Sequence, residues 1–559
     1  MLSMAMQRMV LICVPMGLLL GSALVCGMGD DNRPNIIFLL TDDQDVTAGS
    51  LDYMPRLNQI LRREGTEFLN YFVSTGLCCP SRATIMKGQF CHNTKIFDNG
   101  DLNNKTDLSG GFVKYLALGL MNESTVGNIL QAAGYETKLC GKYLNGYDDG
   151  QASIVPPGWD HWQGMTKTAY YGPHFSINGK LKKMNNSVYQ TDYIRDIAIE
   201  FIQRKRDKPF FMYLSPFAPH APATPAKRHA HMFNDSMAPR YDSFNPNNTI
   251  QSQKPSWLGR LPPLTQKQID GIDNFFRNRL RSLQAVDEML GNITATLESE
   301  GLLNNTYIFY MGDNGQHLGD YRLPGGKRQA YDTDIRVPFL VRGPGVPAGH
   351  KVYDVTQSVD LLPTWADIAG AEVADQSSKV DGESVLPLFN LSREAGTFRS
   401  VALAEMYGGS SNMGANYKGL PAFWHNRFWN NTYQGVRVIN GTGFAANANW
   451  LYVEWCTGEK EFYDAAKDPR MILNKFSTLD ADTQSKLSSL TQQMGSCVGD
   501  VCRSASKLQV PLPSTGEAPS TLKCHNPPNL TEAAERFYQP VFPYADSDTA
   551  ILADPFEVV

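Results

Sequence analysis

Two pairs of oxygen-bearing side chains stand out in this 559-residue chain because each follows a run able to form a buried strand. Asp42-Asp43 comes directly after Asn35-Ile-Ile-Phe-Leu-Leu-Thr41, and Asp313-Asn314 follows Tyr307–Met311 and a single glycine. Adjacent carboxylates repel each other unless a cation joins them. Three acids and one amide form an oxygen-only donor set, which suits a hard cation such as Ca2+ or Mg2+. Either pair alone reads equally well as a helix cap or a solvated turn; two strand ends of one kind strengthen the metal reading. The third feature is Leu77-Cys-Cys-Pro-Ser-Arg-Ala-Thr-Ile-Met86. Pro80 suits the first turn of a helix, so Cys78 falls in the loop before it, next to a helix N-terminus that stabilises anions. Arg82, one turn on, could hold a tetrahedral anion. Read alone, Cys78 would be a reactive thiolate or a disulfide cysteine, and Arg82 a surface charge.

Such residues need a scaffold that gathers strand ends. The run 35–41 is continuously apolar, as in a parallel strand buried on both faces. Glu136–Cys140, Pro209–Ser215, Tyr307–Met311 and Val337–Val341 read as further strands. Helical spacing lies between them, at Leu57, Ile60 and Leu61, at Val126–Ala133, and in a long helix from Thr265 through Leu297. Strands alternating with helices predict a doubly wound α/β sheet, which binds ligands at the carboxyl ends of its strands. After about residue 370 the pattern changes to closely spaced strands, Val401–Glu405, Gly435–Ile439 and Trp450–Trp455, then a helix over 479–494. This predicts a small sheet with one packed helix. Residues 221–263, rich in Pro, Asn and His, read as a long functional excursion, and the Pro- and Ser-rich tail as a surface wrap.

The formal charge of -5 gives no electrostatic reason to expect a nucleic-acid partner. Arg8 precedes an apolar run, Met9–Val25, broken by Pro15, Gly17 and Gly21; it reads as a secretory signal peptide, with an uncleaved anchor as the alternative. No later run approaches the ~20 apolar residues of a membrane span. Eleven Asn-x-Ser/Thr sequons, at Asn104, Asn122, Asn185, Asn234, Asn247, Asn292, Asn304, Asn390, Asn430, Asn440 and Asn529, suit a secreted glycoprotein. Cys497 and Cys502, five apart, suggest a small-loop disulfide. Cys79, Cys91, Cys140, Cys456 and Cys524 cannot be paired from sequence, and no cysteine spacing suggests zinc.

Cys-x-Pro-Ser-Arg with the following Gly88-Gln-Phe90 resembles the signature of the type I sulfatases, and the resemblance runs over about residues 33–495. It is nearest in character to the N-acetylglucosamine-6-sulfatases and the algal and fungal arylsulfatases. The segments that carry it include Pro34–Asp45, Gly134–Asn145, Pro219-His-Ala-Pro222, Leu303–Tyr310, Asp313-Asn-Gly315, Lys327-Arg-Gln329, Val337-Pro338, Phe462-Tyr-Asp464 and Asp468-Pro469. The resemblance implies an alkaline-phosphatase-like α/β sandwich with a large, mostly parallel central sheet and a smaller C-terminal subdomain. On this reading residues 1–28 are the signal peptide, 33–370 the catalytic domain, 371–505 the C-terminal subdomain and 506–559 an irregular tail.

It also implies chemistry. Cys78 would be oxidised to formylglycine by a formylglycine-generating enzyme, and Asp42, Asp43, Asp313 and Asn314 would bind Ca2+ together with the aldehyde hydrate. Arg82 would steady that hydrate, and Lys142, His220 and Lys327 would hold sulfate oxygens, a lysine or the histidine aiding the leaving group. One hydroxyl of the hydrate would attack sulfur, and the second would let the adduct collapse and expel sulfate. Many arylsulfatases place histidine two residues after the first of these lysines; here Leu144 stands there, with Asn145 next as a partial substitute, and His317 is a further candidate contact. The expected function is hydrolysis of a sulfated glycan or a small aryl sulfate in the secretory pathway, in a secreted, cell-wall or lysosomal enzyme. The rivals are an inactive sulfatase-fold binding protein, against which the intact residue set argues, and a phosphatase or phosphodiesterase, which would favour Ser or Thr as nucleophile and more histidine ligands.

Overall fold

The computed structural model describes residues 32–100, 110–122, 124–373, 379–393, 398–408, 431–508, 522 and 524. The first strand forms where the apolar run demands it. β1 (Asn35–Thr41) sends Ile36, Phe38 and Leu40 into one core and Ile37 and Leu39 into another, so both its faces are covered. Around it lie β2 (Thr66–Phe72), β3 (Glu136–Lys142), β4 (His161–Lys167), β5 (His174–Ile177), β6 (Lys180–Lys183), β7 (Phe210–Ser215), β8 (Thr306–Gly312), β9 (Phe339–Arg342) and β10 (His350–Gln357). Among the described residues these ten strands form one sheet in the order β10-β2-β9-β8-β1-β7-β3-β4-β5-β6.

The five central strands, β8-β1-β7-β3-β4, are parallel. The flanks are mixed: β9 runs antiparallel to both neighbours, and β4-β5-β6 is an antiparallel meander. One face is covered by helices Gln190–Ile202 and Gln266–Ser299, through Ile194, Phe201, Leu283, Val286 and Leu290. The long helix starts where its sequence directs: Thr265 and Gln268 form a reciprocal capping box. The other face is covered by Cys78–Lys87, Val126–Ala132 and Leu361–Ala369, and Trp365 of the last packs on Phe38, Phe211 and Phe309.

The C-terminal sheet is antiparallel, β11 (Val401–Met406), β12 (Tyr433–Ile439), β13 (Asn449–Trp455) and β14 (Lys460–Asp464) in that order. Its outer face packs Val436, Val438 and Tyr452 on Leu487, Leu490 and Met494 of helix Ala481–Met494. Its inner face joins the main core through Ala402, Met406, Leu451 and Trp455. Buried Arg399 grips both oxygens of Asp360, at 3.0 and 2.8 Å, and ties the two parts together.

Cys497 and Cys502 are bonded, and Cys456 pairs with Cys524; Cys78, Cys79, Cys91 and Cys140 are free and buried. Among the described residues no helix is long and apolar enough to cross a membrane. The signal-like segment and most of the tail lie outside the described residues, as do sequons Asn104, Asn430 and Asn529; the other eight sequon asparagines are all exposed.

Candidate active site

Strand ends bring the site together. Asp42 and Asp43 leave the carboxyl end of β1, and Asp313 and Asn314 leave that of β8, its hydrogen-bonded neighbour. Lys142 is the last residue of β3, and the segment holding His220 follows β7. Asp43 adopts a left-handed backbone, φ 66°, a conformation that is uncommon outside glycine but which Asp tolerates better than most residues. It is held from both sides: its N–H donates to Asp313 Oδ1 at 2.9 Å, and its carbonyl accepts from Arg279 at 2.7 Å. Arg279 comes from the long helix and also pairs with Asp45 at 3.0 Å.

Cys78 is the first residue of its helix rather than part of the preceding loop, with Leu77 as the cap. Pro80 is tolerated in that first turn because the N–H groups there have no intrahelical partner. The N–H of Cys79 donates instead to Asn99 Oδ1, 2.9 Å away. The Cys78 sulfur lies 3.5 Å from Asp42 Oδ1, 3.8 Å from Asp43 Oδ1 and 2.7 Å from Lys327 Nζ. Burial pushes the thiol far up; Lys142 and Lys327 oppose this, while Asp42 and Asp313 add to it. As a plain thiol it is therefore protonated, which argues against the reactive-thiolate reading.

The cations are distributed with little slack. Lys142 Nζ donates to Asp42 Oδ2 at 2.6 Å, and Lys327 Nζ donates to Asp43 as well as meeting Cys78. Arg82, fully buried, donates to Asp313 Oδ2 at 2.8 Å, to the Lys142 carbonyl at 3.0 Å and to Ser215 Oγ at 2.7 Å. Gly141 makes this convergence possible: at φ 123°, a Cβ there would lie 2.1 Å from the Ser215 carbonyl oxygen. Burial tends to raise Asp42, yet Lys142, His220 and Arg82 hold its carboxyl down at about 2. Burial would lower Lys142 and Lys327, but Asp42 and Asp43 respectively hold them above the usual lysine range. His220 lies flat on Phe217, with Nδ1 2.7 Å from the Ala221 carbonyl and Nε2 3.7 Å from Asp43 Oδ2. Burial lowers its pKa despite Asp43 and Asp42, so it is mostly neutral at pH 7.

Ligand atoms of Asp42, Asp43, Cys78 and His220 all fall within 4.8 Å of one another. Asn314 Nδ2 donates to Asp43 at 2.7 Å, which leaves its buried Oδ1 without a partner. Converging carboxylates with an orphaned amide oxygen match the donor set of a hard cation. Asp313 is more committed, with one oxygen on the Asp43 N–H and the other on Arg82.

The structure thus brings Asp42, Asp43, Cys78, Arg82, Lys142, His220, Asp313, Asn314 and Lys327 into one centre. Leu144 is buried in the main core. Asn145 lies beside it; its carbonyl accepts from Phe112 N–H at 2.7 Å and its buried Oδ1 has no partner. His317 has its Nδ1 3.0 Å from both oxygens of Asp334. Sequence reasoning missed Ser215, Arg279 and Asp334. Only Ser215 had a local signal, as the polar residue that ends an apolar strand.

The fold, an alkaline-phosphatase-like α/β sandwich, and this centre define a hydrolase of the sulfatase type, and comparison with known proteins agrees. The sulfatase family model matches residues 34–371. The chain is 32% identical to an arylsulfatase of Volvox carteri over 96% of its own length and 86% of that protein. It is 35% identical to the N-acetylglucosamine-6-sulfatase of Homo sapiens over 84% of this chain and 86% of that one. A solved protein in complex with its substrate D-glucosamine-2-N,6-O-disulfate superposes with a TM-score of 0.65 at 26% identity, covering 83% of this chain and 97% of that one. A phosphonate monoester hydrolase of Silicibacter pomeroyi shares the fold alone, with a TM-score of 0.60 at 19% identity. The chain belongs to the sulfatase family. It is an enzyme that hydrolyses sulfate esters.

Proposed function

We propose that this sulfatase works with Cys78 converted to formylglycine and with Ca2+ held by Asp42, Asp43, Asp313 and Asn314. The observation that carries the reading is the buried centre in which acid oxygens, an orphaned amide oxygen and the Cys78 sulfur converge under two lysines held charged. Formylglycine at this position would supply a nucleophile with a second hydroxyl, and a cation held by these oxygens would supply the charge that acidifies it. Lys142 and Lys327 act as fixed positive charges for the sulfate oxygens, strongest where charge develops in the transition state. A lysine, or His220 in its protonated form, would pass a proton to the departing alkoxide; neutral His220 keeps its proton on Nδ1, facing the Ala221 carbonyl. Arg82 orients Asp313 and backs the nucleophile. Asn145 offers its free amide oxygen to the substrate.

Sulfated glucosamine is the substrate class the relatives favour, and an aryl sulfate is the second reading, supported by the near full-length match to the algal arylsulfatase. Secretory processing is supported by two disulfides and by the exposure of every described sequon. The proposed division at 370/371 is supported by the end of helix Leu361–Ala369 before the small sheet; the one proposed at 505/506 falls within helix Asp500–Ser506, one residue before its end. The deciding measurement is the mass of the Cys78 peptide from active protein of native source: loss of the sulfur with gain of an aldehyde is expected, and an intact thiol sinks the mechanism. Rates on glucosamine 6-sulfate, other sugar sulfates and 4-nitrocatechol sulfate, run side by side, decide the substrate. Selective turnover of one sugar sulfate supports the glycan, and indifference among sugars supports the aryl ester.

A further inference from the structure

Lys327 belongs to no strand or helix and, unlike Asp42, Asp43, Asp313 and Asn314, does not directly follow one. It lies in the loop 325–329, between Gly326, φ 128°, and Arg328, φ 89°. A side chain on such a loop needs outside support to hold one position. The support visible around it is a histidine–aspartate pair. The N–H of His317 donates to the Gly326 carbonyl at 2.9 Å, and the two residues form an isolated antiparallel bridge. The imidazole folds back over the same loop: Nε2 would lie 3.1 Å from a Cβ placed on Gly326, and the ring faces the Gly325 carbonyl. Nδ1 faces both oxygens of Asp334 at 3.0 Å.

Asp334 then grips the far side of the loop. Its Oδ2 accepts from Gln329 N–H at 2.7 Å, and its Oδ1 from Thr333 Oγ at 2.9 Å. Its carbonyl accepts from Gly315 N–H at 2.8 Å, directly after Asn314. The pair therefore holds residues 325 and 326 on one side of Lys327 and residue 329 on the other, and anchors both to the Asn314 turn. His317 is 3% exposed and both ring nitrogens face protein acceptors, which leaves it no nitrogen for a substrate.

We infer that His317 and Asp334 are positioning residues that fix the Lys327 loop so that the ammonium reaches Asp43 and Cys78. This deepens the proposed role of Lys327 as a sulfate-binding charge and rests on that reading. The two arms of the imidazole can be separated by substitution. His317→Asn keeps a donor near Nδ1, facing Asp334, and His317→Gln keeps one near Nε2, facing Gly325.

The test combines kinetics on 4-nitrocatechol sulfate with crystallography. A misplaced charge of this kind costs ~10–100-fold in rate. Each single variant is expected to lose about that much in kcat/KM, with the melting temperature close to wild type. The double variant His317→Gln with Lys327→Ala is expected to be no worse than Lys327→Ala alone, because His317 has nothing left to position. Losses that multiply in the double variant would overturn the inference, since His317 would then act independently of Lys327. A crystal structure of His317→Asn should show Lys327 Nζ withdrawn from Asp43; an unmoved Lys327 also overturns it. Should Lys327→Ala retain full activity, the role of Lys327 fails, and the same crystal structure still decides whether His317 holds the loop.

Discussion

Two clusters of buried lysine and carboxylate follow different electrostatics. One is the centre at the ends of β1, β3 and β8; the other lies where the 221–263 excursion meets the small sheet. In the first, Lys142 and Lys327 face Asp42, Asp43 and Asp313, and Asp42 and Asp43 respectively hold the two lysines charged against the cost of burial. In the second, Lys254 Nζ sits 4.0, 4.1 and 4.4 Å from the ring centres of Tyr321, Tyr331 and Tyr463. It donates to Tyr463 Oη at 2.9 Å and to the Met471 carbonyl, with Glu461 3.9 Å away. Burial drives Lys254 down to about 8, against Glu461, Asp468 and Asp320. Glu461 is itself pushed up by burial, although Lys254, Tyr463, Trp455 and Tyr331 oppose this. The first cluster matches three carboxylates with Lys142, Lys327 and Arg82 and retains an orphaned amide oxygen on Asn314. In the second, the protein's own donors occupy the carboxylate. The first keeps an oxygen donor open, the one the proposed cation would use; the second is a fastener between excursion and sheet.

The sharpest way to break this contrast is to remove one acid from the first cluster. Asp43→Asn and Cys78→Ala are each expected to lower kcat/KM by ~10^3-fold or more. Added Ca2+ should raise the melting temperature of wild type, by an amount equivalent to ~2.7 kcal/mol at a hundredfold excess over Kd, and should not raise that of Asp43→Asn. Calorimetry with and without chelator checks this. An equal Ca2+ shift in both proteins would move the cation elsewhere.

At the fastener the expected loss is in stability. Lys254→Met strands Glu461 as a buried charge and should cost ~3 kcal/mol. Adding Glu461→Gln should return most of that, because the desolvation penalty leaves with the pair. Turnover by the folded fraction should change by less than about twofold in either variant, given independent sites. Urea unfolding and active-site-normalised kcat read the two effects separately. A kcat loss that tracks the stability loss would join the clusters into one unit.

The clusters should also differ in the sign of their pH dependence. Lys254 titrates at about 8 when folded and near 10.5 when unfolded, so between these values the unfolded chain binds more protons. Its contribution therefore rises with pH across that window, by ~2–3 kcal/mol for a shift of this size. The stability of wild type relative to Lys254→Met should improve from pH 8 to pH 10. Lys327 is shifted the other way: its contribution is fully present below 10.5 and declines above it. Lys327→Met should show no such improvement with pH. Parallel slopes for the two variants would erase the distinction.

How far these regions could be read in the sequence follows from the kind of signal each carries. β1 was legible to the residue because a strand covered on both faces must be continuously apolar, and its acid terminus carries the chemistry. β2 was not, because Thr66-Glu-Phe-Leu-Asn-Tyr-Phe72 mixes polar and apolar positions. Nor was β6, whose Lys180-Leu-Lys-Lys183 is exposed throughout and paired only to β5. The expected predominance of parallel strands holds in the middle of the sheet and gives way at β9 and in the β4-β5-β6 meander, although β9 is a buried apolar strand. The 221–263 excursion reads as loop because its support comes from single side chains. Arg322 donates to the Pro246 and Leu261 carbonyls, and Lys254 enters the tyrosine cage. Arg279, Asp334 and Lys254 share this invisibility; each is one polar residue whose partner is more than a local turn away, and no periodicity marks it.

The smallest effects divide the clusters most cleanly, because each removes a single hydroxyl. Ser215→Ala takes from Arg82 one of its acceptors, while Asp313 and the Lys142 carbonyl still hold the guanidinium. A lost hydrogen bond to a charged group is worth ~1.5–3 kcal/mol. At a centre set by geometry, much of that loss should appear as lower kcat as Arg82 and Asp313 drift. Tyr463→Phe removes the acceptor for Lys254 and a donor to Glu461 but keeps the aromatic face over the ammonium. Its loss should appear wholly in the unfolding free energy, at about the same size, with kcat unchanged. Measuring kcat and urea unfolding on both variants places each hydroxyl on one axis or the other. If Ser215→Ala changed only stability, Arg82 would belong with the fastener, as a strut of the fold.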